Sequence, residues 1–186
     1  MSEEEDPHRL PIVNLADAPR HEVSHGTHFA CSMTQLAAPL GARAIGANVT
    51  RVPPGKAAFP LHHHRANEEH LFVLSGRGIA RVGERSFPVG PNDYLVHLPG
   101  GPELAHQMIN TGEDDLVYLA ISTLVLPEVV GYPDSGKTGV RTGSAPDARF
   151  LVTDDVKGRA GYWDGEDGAR VRETVAAGDG DPATRR

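Results

Sequence analysis

Glycine and proline interrupt the centre of this chain every eight to twelve residues, and this spacing constrains the fold more than any other feature. The 186 residues include 21 glycines and 15 prolines, which argues against a bundle of long helices because both residues weaken helix interiors. The segments between the interruptions are short and rich in valine, isoleucine, leucine, phenylalanine and tyrosine, in partial alternation with polar residues. This pattern is typical of an antiparallel β-sandwich or barrel.

Nine strand-like segments are delimited by these interruptions. They span residues 27–36, 43–53, 58–63, 69–75, 78–82, 85–88, 93–98, 105–109 and 115–124. One helical interpretation competes with them, just before Pro39. The spacing leaves no room for the helical crossovers of a parallel sheet. The sequence therefore predicts an all-β domain.

The ends of the chain differ from its centre. Residues 1–22 are polar and acidic, and residues 164–186 lack a sustained apolar period, so we expect loose extensions there, with the C-terminal one disordered. The strand-like segments define a barrel at residues 23–126. Residues 127–163 carry few strong signals, and we expect them to form an extension that packs on the barrel.

The net charge of −7 comes from the flanks of the chain. Residues 51–110 carry six basic and five acidic residues and are almost neutral, and no basic stripe occurs that could release counterions from a phosphate backbone. No apolar run approaches the roughly 18 residues of a membrane span. We therefore expect neither nucleic acid nor a membrane as partner.

The acidic start of the chain lacks the basic and apolar regions of a secretory signal. Cys31 is the only cysteine, which excludes an intramolecular disulfide and a cysteine-cluster metal site. Both observations favour a reducing, cytoplasmic setting.

Histidines concentrate in the central region. Six of the ten lie between residues 62 and 106, and three of them are consecutive. In an extended segment, His62 and His64 point to one face and His63 to the other. Glu69 follows at the edge of an apolar run, where a carboxylate is costly unless it is paired or binds a metal. Two imidazoles and a carboxylate suit Fe(II), Mn(II), Ni(II), Cu(II) or Zn(II), with His106 as a fourth candidate ligand.

Two series of residues carry a resemblance to a known family. The first contains Gly55, His62, His64, Glu69 and Gly76, and the second contains Pro99, Gly101, His106 and Asn110. They are similar to the two motifs of the cupin superfamily, and residues 77–98 between them have the expected length. The resemblance implies a cupin-type double-stranded β-helix, or jelly-roll barrel. It also implies that His62, His64, Glu69 and His106 bind one divalent transition metal (Fe, Mn, Ni, Zn or Cu).

The match departs from the family pattern in two loops. One extra residue lies between Gly55 and His62, and two lie between Gly101 and His106. Glu68 is the alternative to Glu69 as the carboxylate ligand. Glu69 has the matching spacing to Gly76, and a slip of one residue would reverse the face of the strand.

The resemblance leaves the function open between two classes. The first is a mononuclear metalloenzyme of dioxygenase, isomerase or decarboxylase/lyase type that acts on a small oxygenated metabolite. The second is a non-catalytic protein that binds or senses a small ligand. Tyr94, His97 and Tyr118 are candidate catalytic groups, although packing in the core is favoured for the two tyrosines and a hydrogen-bonded structural role is at least as compatible with His97. The bacterial cupin subgroup that the chain resembles has no firmly assigned reaction.

Cupins commonly pair through strands that flank the barrel, so the resemblance also implies a homodimer. The strand-like segments 27–36 and 43–53 could supply the exchanged strands.

The segment Gly131–Thr138 satisfies the phosphate-loop pattern of two glycines followed by Lys-Thr. A phosphate loop needs a helix after it, whose N-terminal amides hold the phosphates. The residues that follow, 139–146, include two glycines and a proline and cannot readily begin a helix. We therefore predict a turn.

Overall fold

The computed structural model describes residues 11–143, 149–154 and 158–178. Within these ranges the chain forms fourteen strands. They are β1 (Arg20–His25), β2 (Phe29–Gln35), β3 (Ile45–Val52), β4 (His63–His64), β5 (Glu69–Ser75), β6 (Gly78–Val82), β7 (Arg85–Val89), β8 (Tyr94–His97), β9 (His106–Asn110), β10 (Leu116–Thr123), β11 (Glu128–Tyr132), β12 (Lys137–Thr142), β13 (Arg149–Asp154) and β14 (Gly158–Arg159). The described helices are the 3-10 turns Ala38–Leu40 and Pro102–Leu104 and the α-helix α1 (Ala169–Ala177).

The strands pair into three antiparallel sheets. The largest has the order β1-β2-β3-β10-β5-β8, the second has β14-β13-β12-β11-β4, and the third has β7-β6-β9. Isolated bridges join the segment before β4 to β9, through Ala57 with Ile109 and His62 with His106. This arrangement is the predicted all-β jelly-roll fold.

The main hydrophobic core lies between the six-stranded sheet and the three-stranded sheet. Val73 of β5 and Leu116 of β10 are fully buried on one side, and they belong to one cluster with Ala80 of β6 and Met108 of β9 on the other. Alternate residues of each strand enter this core, as expected for sheets with one buried face. The core therefore holds β5, β9 and β10 in fixed relative positions.

Several predicted strands are confirmed, and others need correction. The strands at 69–75 and 78–82 form with the predicted bounds. Residues 58–63 form no continuous strand, and only His63 enters β4. The segment contains Pro60, which has no N–H to donate. It joins β9 through an isolated bridge between His62 and His106. The helical alternative before Pro39 is replaced by β2 and a 3-10 turn.

The region after residue 125 contains more structure than the sequence indicated. Strands β11 to β14 lie in the extension 127–163, and α1 lies within the segment 164–186 that was expected to be loose. The helix has few apolar residues, but Val171 is 1% exposed and packs in a second cluster with Phe29 and Ile109. Tertiary packing of one face compensates for weak local propensity here. Residues 1–10 and 179–186 of the predicted loose ends lie outside the described residues.

The phosphate-loop-like segment is a hairpin turn, as predicted. It connects β11 to β12, which pair from Tyr132 with Lys137 to Glu128 with Arg141. Within the described part of the chain, no helix is long and apolar enough to cross a membrane.

Gly76 closes the turn between β5 and β6. Its φ of +79° lies in the left-handed region, and a Cβ there would meet the Asp115 carbonyl oxygen and lie 2.7 Å from Cα of Leu116. Gly55 has a similar φ of +72°, but its Cβ would meet only Val175, at 4.0 Å. The spacing of Gly76 in the first motif therefore reflects a close approach of two backbones as well as a turn.

Alanine at these two glycines is expected to destabilise the fold to different extents. Gly55→Ala adds only the strain of a left-handed residue, about 1–3 kcal/mol. Gly76→Ala adds the same strain and a backbone overlap worth about another 1–3 kcal/mol. Urea unfolding of both variants measures the difference, and equal losses of unfolding free energy would contradict the assigned overlap.

Candidate metal centre

Four side chains from three strands and one loop converge at one end of the barrel. His62 lies just before β4, His64 ends β4, and Glu69 and His106 begin β5 and β9. One donor atom from each lies within 4.8 Å of the donor atoms of the other three. The structure thus brings together the four residues that the motifs single out.

Backbone hydrogen bonds set the relative positions of His62 and His106. The His106 N–H donates to the His62 carbonyl at 2.7 Å, and the His62 N–H donates to the His106 carbonyl at 3.2 Å. The Nδ1 atom of His62 lies 2.9 Å from the Pro60 carbonyl oxygen, which can only accept, so Nδ1 carries the proton. The Nε2 atom of His62 is left with a lone pair for a ligand.

The middle histidine of the triplet faces away from this group. His63 is 6% exposed and lies opposite Gly131 of β11. A Cβ on Gly131 would overlap the His63 imidazole, so the glycine provides the space that the ring occupies. The predicted alternation of faces within the triplet is therefore present.

A buried carboxylate holds the loop between His64 and Glu69. Glu128 is 2% exposed, and its Oε1 accepts the Arg65 and Ala66 N–H groups at 2.9 and 3.2 Å. Its Oε2 accepts from the Asn67 side chain and lies 3.8 Å from Nδ1 of His64. Three hydrogen bonds to one carboxylate restrict this loop and, through it, the two donors at its ends.

Asn67 extends the same connection to β10 and β11. Its side-chain oxygen accepts the Val125 N–H at 2.6 Å and the Thr123 hydroxyl at 3.1 Å, and its amide donates to the Val125 carbonyl at 3.1 Å. Glu68 donates its N–H to Thr123 at 3.0 Å and pairs its carboxylate with His70 at 2.7 Å. Glu68 therefore faces away from the centre, and Glu69 is the carboxylate that faces it.

Burial favours the neutral imidazoles that a metal requires. It lowers the pKa of His62 well below its usual value, and neighbouring His106 and His64 add to this effect. It also lowers the pKa of His106 to about 3. Nε2 of His106 lies 2.8 Å from Oε2 of Glu69. Three imidazoles and one carboxylate, all buried or half-buried, match the mixed nitrogen and oxygen donors that divalent transition ions take.

His97 lies behind the centre. Its ring stacks on that of His106 with centroids 3.8 Å apart, and its residue pairs with Glu69 across β5 and β8. Burial lowers the pKa of His97 from 6.5 to about 3, and its buried Nε2 has no hydrogen-bond partner among the described residues. The stacking fixes the plane of the His106 ring.

The unfolding free energy of the metal-free protein is expected to fall as the pH decreases from about 6.5 towards 3. The unfolded chain takes up protons on His62, His97 and His106 in this range, whereas the folded chain does not. Each of these imidazoles contributes a slope of up to ~1.4 kcal/mol per pH unit. Urea unfolding of chelator-treated protein between pH 7.5 and 4.5 measures the slope. His97→Leu should reduce it, and a pH-independent unfolding free energy would contradict the prediction.

A pocket with a volume of about 290 Å³ opens in front of the centre. Its described lining consists of residues from the barrel and from the extension. They are Met33, Asn48, Thr50, Ala58, Phe59, His62, His64, Glu69, Leu71, His106, Gln107, Met108, Tyr118, Ala120, Val130, Tyr132, Arg141 and Tyr162. This volume is at the lower end for ligand sites, which suits a small metabolite.

The three candidate catalytic residues occupy different places. Tyr118 lines the pocket and is hydrogen-bonded with Thr50, and burial raises its pKa well above the usual value. Tyr94 does not reach the pocket; it is 61% exposed on the opposite face of the sheet, where its hydroxyl contacts His70. His97 is buried behind His106 and is not part of the lining. Met108 forms an apolar wall of the pocket, and His70 faces outward.

Four residues of the extension contribute to the site and were not identified from the sequence. Glu128, Tyr132, Arg141 and Tyr162 all lie in the extension after residue 126, which carries no motif with a metal-binding pattern. The rings of Tyr132 and Tyr162 are perpendicular, with centroids 5.6 Å apart, and together they close one side of the pocket. The pairing of β11 with β4 brings this extension to the centre.

Lys137 and Glu166 hold the extension in place. The Nζ atom of Lys137 lies 3.1 Å from Oε1 of Glu166, and their side chains are 1% and 3% exposed. The same ammonium donates to the Tyr162 carbonyl, and Ser135 donates to Glu166. This buried ion pair fixes the segment that carries Tyr162.

The sequence matches the family model of the cupin domain over residues 48–122. Among curated proteins, none matches the chain. Many solved structures resemble it, including the following three. A protein named as a candidate sugar phosphate isomerase, from Acidithiobacillus ferrooxidans, is 26% identical, with 71% of this chain and 82% of that chain covered and a TM-score of 0.61.

The other two structures are more distant in sequence. A sugar phosphate isomerase from Silicibacter pomeroyi is 20% identical, with 81% of this chain and 97% of that chain covered and a TM-score of 0.71. A predicted oxalate decarboxylase from Thermotoga maritima is 23% identical, with 61% of this chain and 99% of that chain covered and a TM-score of 0.53. At these identities the likeness concerns the fold.

Proposed function

The chain belongs to the cupin superfamily through its cupin domain at residues 48–122, and on that premise we propose that it is a mononuclear metalloenzyme acting on a small oxygenated metabolite. His62, His64, Glu69 and His106 are the proposed ligands of one divalent transition ion. The observation that carries the proposal is the grouping of their donor atoms within 4.8 Å at the floor of a pocket.

Four protein ligands leave two positions open on an octahedral ion, through which the metal would supply Lewis-acid chemistry to adjacent hydroxyl and carbonyl oxygens of a substrate. The chain's own contribution is to orient that substrate and to limit its contact with water. Leu71, Met108 and Ala120 form the apolar walls. The hydroxyl groups of Tyr118 and Tyr132 keep their protons, because burial raises the pKa of both, and they offer neutral hydrogen-bond donors.

Among the three reaction types that the family resemblance implies, we place isomerisation first. The Acidithiobacillus ferrooxidans protein, named as a candidate sugar phosphate isomerase, has the highest sequence identity of the three structures above, at 26%. An isomerase of this kind moves a proton between neighbouring carbons of a hydroxy-carbonyl compound. An ion held by the four proposed ligands would supply Lewis-acid chemistry to the adjacent oxygens of such a compound.

The test begins with the metal content of protein purified without a histidine tag, measured by elemental mass spectrometry. Near-stoichiometric iron, manganese, nickel, copper or zinc is expected. The loaded protein is then incubated with hydroxy-aldehydes and hydroxy-ketones in D2O, and proton NMR follows deuterium incorporation, while an electrode follows oxygen uptake. Protein that stays metal-free after reconstitution would rule out the metalloenzyme. Stoichiometric binding of a metabolite without turnover would support the alternative, a sensor or binding protein.

We also propose that the protein is a homodimer. The outer face of the six-stranded sheet exposes apolar side chains, among them Ile45 (45% exposed), Tyr94 (61%) and Val96 (45%). Strands β2 and β3, the segments expected to be exchanged, pair with each other within this chain, so the proposed contact is between sheet faces. Light scattering coupled to gel filtration should give twice the monomer mass, and Val96→Glu should reduce it to that of a monomer.

A further inference from the structure

We propose that Arg141 makes the pocket selective for metabolites that carry an oxyanion, a phosphate or a carboxylate, at the end away from the metal-binding group. The inference names a substrate class for the proposed enzyme, and the reaction of that substrate depends on the proposed function. The binding preference itself rests on the charge distribution of the pocket wall.

The position of Arg141 places it beside the centre. It lies in β12 directly opposite Glu128 of β11, and paired residues in antiparallel strands share a face with Cβ atoms about 5 Å apart. Glu128 in turn lies 3.8 Å from His64. Arg141 lines the same pocket as the four proposed ligands and is itself exposed, so its guanidinium is available to a molecule that enters.

Two uncharged polar groups of the wall are already engaged. Thr50 donates to the Asn48 side chain at 2.7 Å. Gln107 donates to the Phe59 carbonyl at 2.8 Å and accepts from Arg81 at 2.8 Å. These groups can shape the pocket, but they have little hydrogen-bonding capacity left to select a charged ligand.

Arg141 differs from Thr50 and Gln107 in its charge and in its side-chain contacts. Among the described residues of the lining it is the only lysine or arginine, and within the described part of the chain its side chain makes no hydrogen bond or ion pair. The nearest carboxylate along the sheet, Glu128, is occupied by the loop at Arg65, Ala66 and Asn67. The protein carries a net charge of −7, so a guanidinium without a carboxylate partner in the pocket wall is a local exception to its acidic character.

Arginine at this place provides a specific kind of recognition. Its planar guanidinium presents parallel N–H donors that match the oxygens of phosphate and carboxylate, and charge-assisted hydrogen bonds of this type are about twice as strong as neutral ones. A small molecule held at one end by the metal centre and at the other by Arg141 would have one orientation in a pocket of about 290 Å³. A neutral analogue would lack the second anchor.

Three probes of similar size test the inference: glycerol, glycerate and glycerol 3-phosphate. Calorimetric titration should give at least tenfold tighter binding of one or both anionic probes than of glycerol. Arg141→Gln should remove that preference, and Arg141→Lys should retain part of it. Tighter binding of glycerol 3-phosphate assigns the site to phosphates, and tighter binding of glycerate assigns it to carboxylates.

Arg77→Gln is the matched control, since Arg77 is exposed in the turn after β5, at the other end of that strand from Glu69. It changes the net charge equally and should leave all three affinities unchanged. Each titration is run with metal-loaded and with chelator-treated protein. If the protein binds no metal but Arg141→Gln still removes the preference for anionic probes, the metalloenzyme is refuted and this inference stands. Equal affinities for anionic probes in wild type and Arg141→Gln, or no binding of either, would overturn it.

Discussion

Replacing His106 by alanine is expected to lower the affinity for a divalent transition ion by more than about 100-fold. Loss of a partner that merely orients a metal ligand costs about 10–100-fold, and His106 would be a ligand itself. It is 4% exposed and begins β9, where its backbone pairs with His62, so the strand fixes the position of its side chain. Competition with a chromogenic chelator measures the affinity.

His70→Ala is the matched control for this experiment. His70 follows Glu69 in the same strand but lies on the outer face, where it pairs with Glu68 at 2.7 Å and contacts Tyr94. Its removal should leave metal affinity within a factor of about two. A His106→Ala protein that folds, as judged by its urea transition, and still binds the ion as tightly as wild type would exclude His106 from the centre.

Lys137→Met is expected to reduce the free energy of unfolding by about 3–5 kcal/mol, because removal of one partner leaves the other charge buried and uncompensated. Glu166 would then keep its carboxylate at 3% side-chain exposure with only Ser135 as a described hydrogen-bond partner. The loss should also loosen the segment that carries Tyr162. Urea unfolding measures the first effect, and the fluorescence of Trp163, the only tryptophan, reports the second.

Two further variants distinguish the effect of the buried ion pair on stability from the effect of removing any charged side chain. Lys137→Met combined with Glu166→Leu should recover most of the lost stability, since the double change removes both charges. Arg170→Met breaks an exposed pair with Glu173, whose side chains are 65% and 63% exposed, and should change stability by less than about 1 kcal/mol. If the single Lys137 variant cost no more than the Arg170 variant, the ion pair would have no stabilising role.

The barrel could be predicted because its sequence signals are local. Turn residues at short intervals mark the ends of strands, and alternation within a strand decides which side chains share a face. His62, His64, Glu69 and His106 could be grouped for a second reason, since motif spacing relates them to a family with a known arrangement. Gly76 shows that such spacing also records backbone contacts that composition does not reveal.

The rest of the pocket could not be predicted because it depends on contacts distant in sequence. Arg141 and Tyr162 reach the centre through contacts such as the pairing of β11 with β4 and the Lys137–Glu166 pair. Helix α1 has weak propensity and relies on Val171 packing against Ile109. Tyr94 illustrates the reverse error: its residue type suited a catalytic role, but the register of β8 with β5 turns it to the outer face.

The dependence of the pocket on Glu166 has a consequence for the order in which the site forms during synthesis. A nascent chain that has left the ribosome as far as residue 142 already contains the four donor residues, together with β4 to β12. Glu166, the partner of Lys137, and Tyr162 have not yet emerged. The four donor residues and Arg141 are therefore present before the side of the pocket that Tyr162 closes, and the last twenty or so described residues complete that wall.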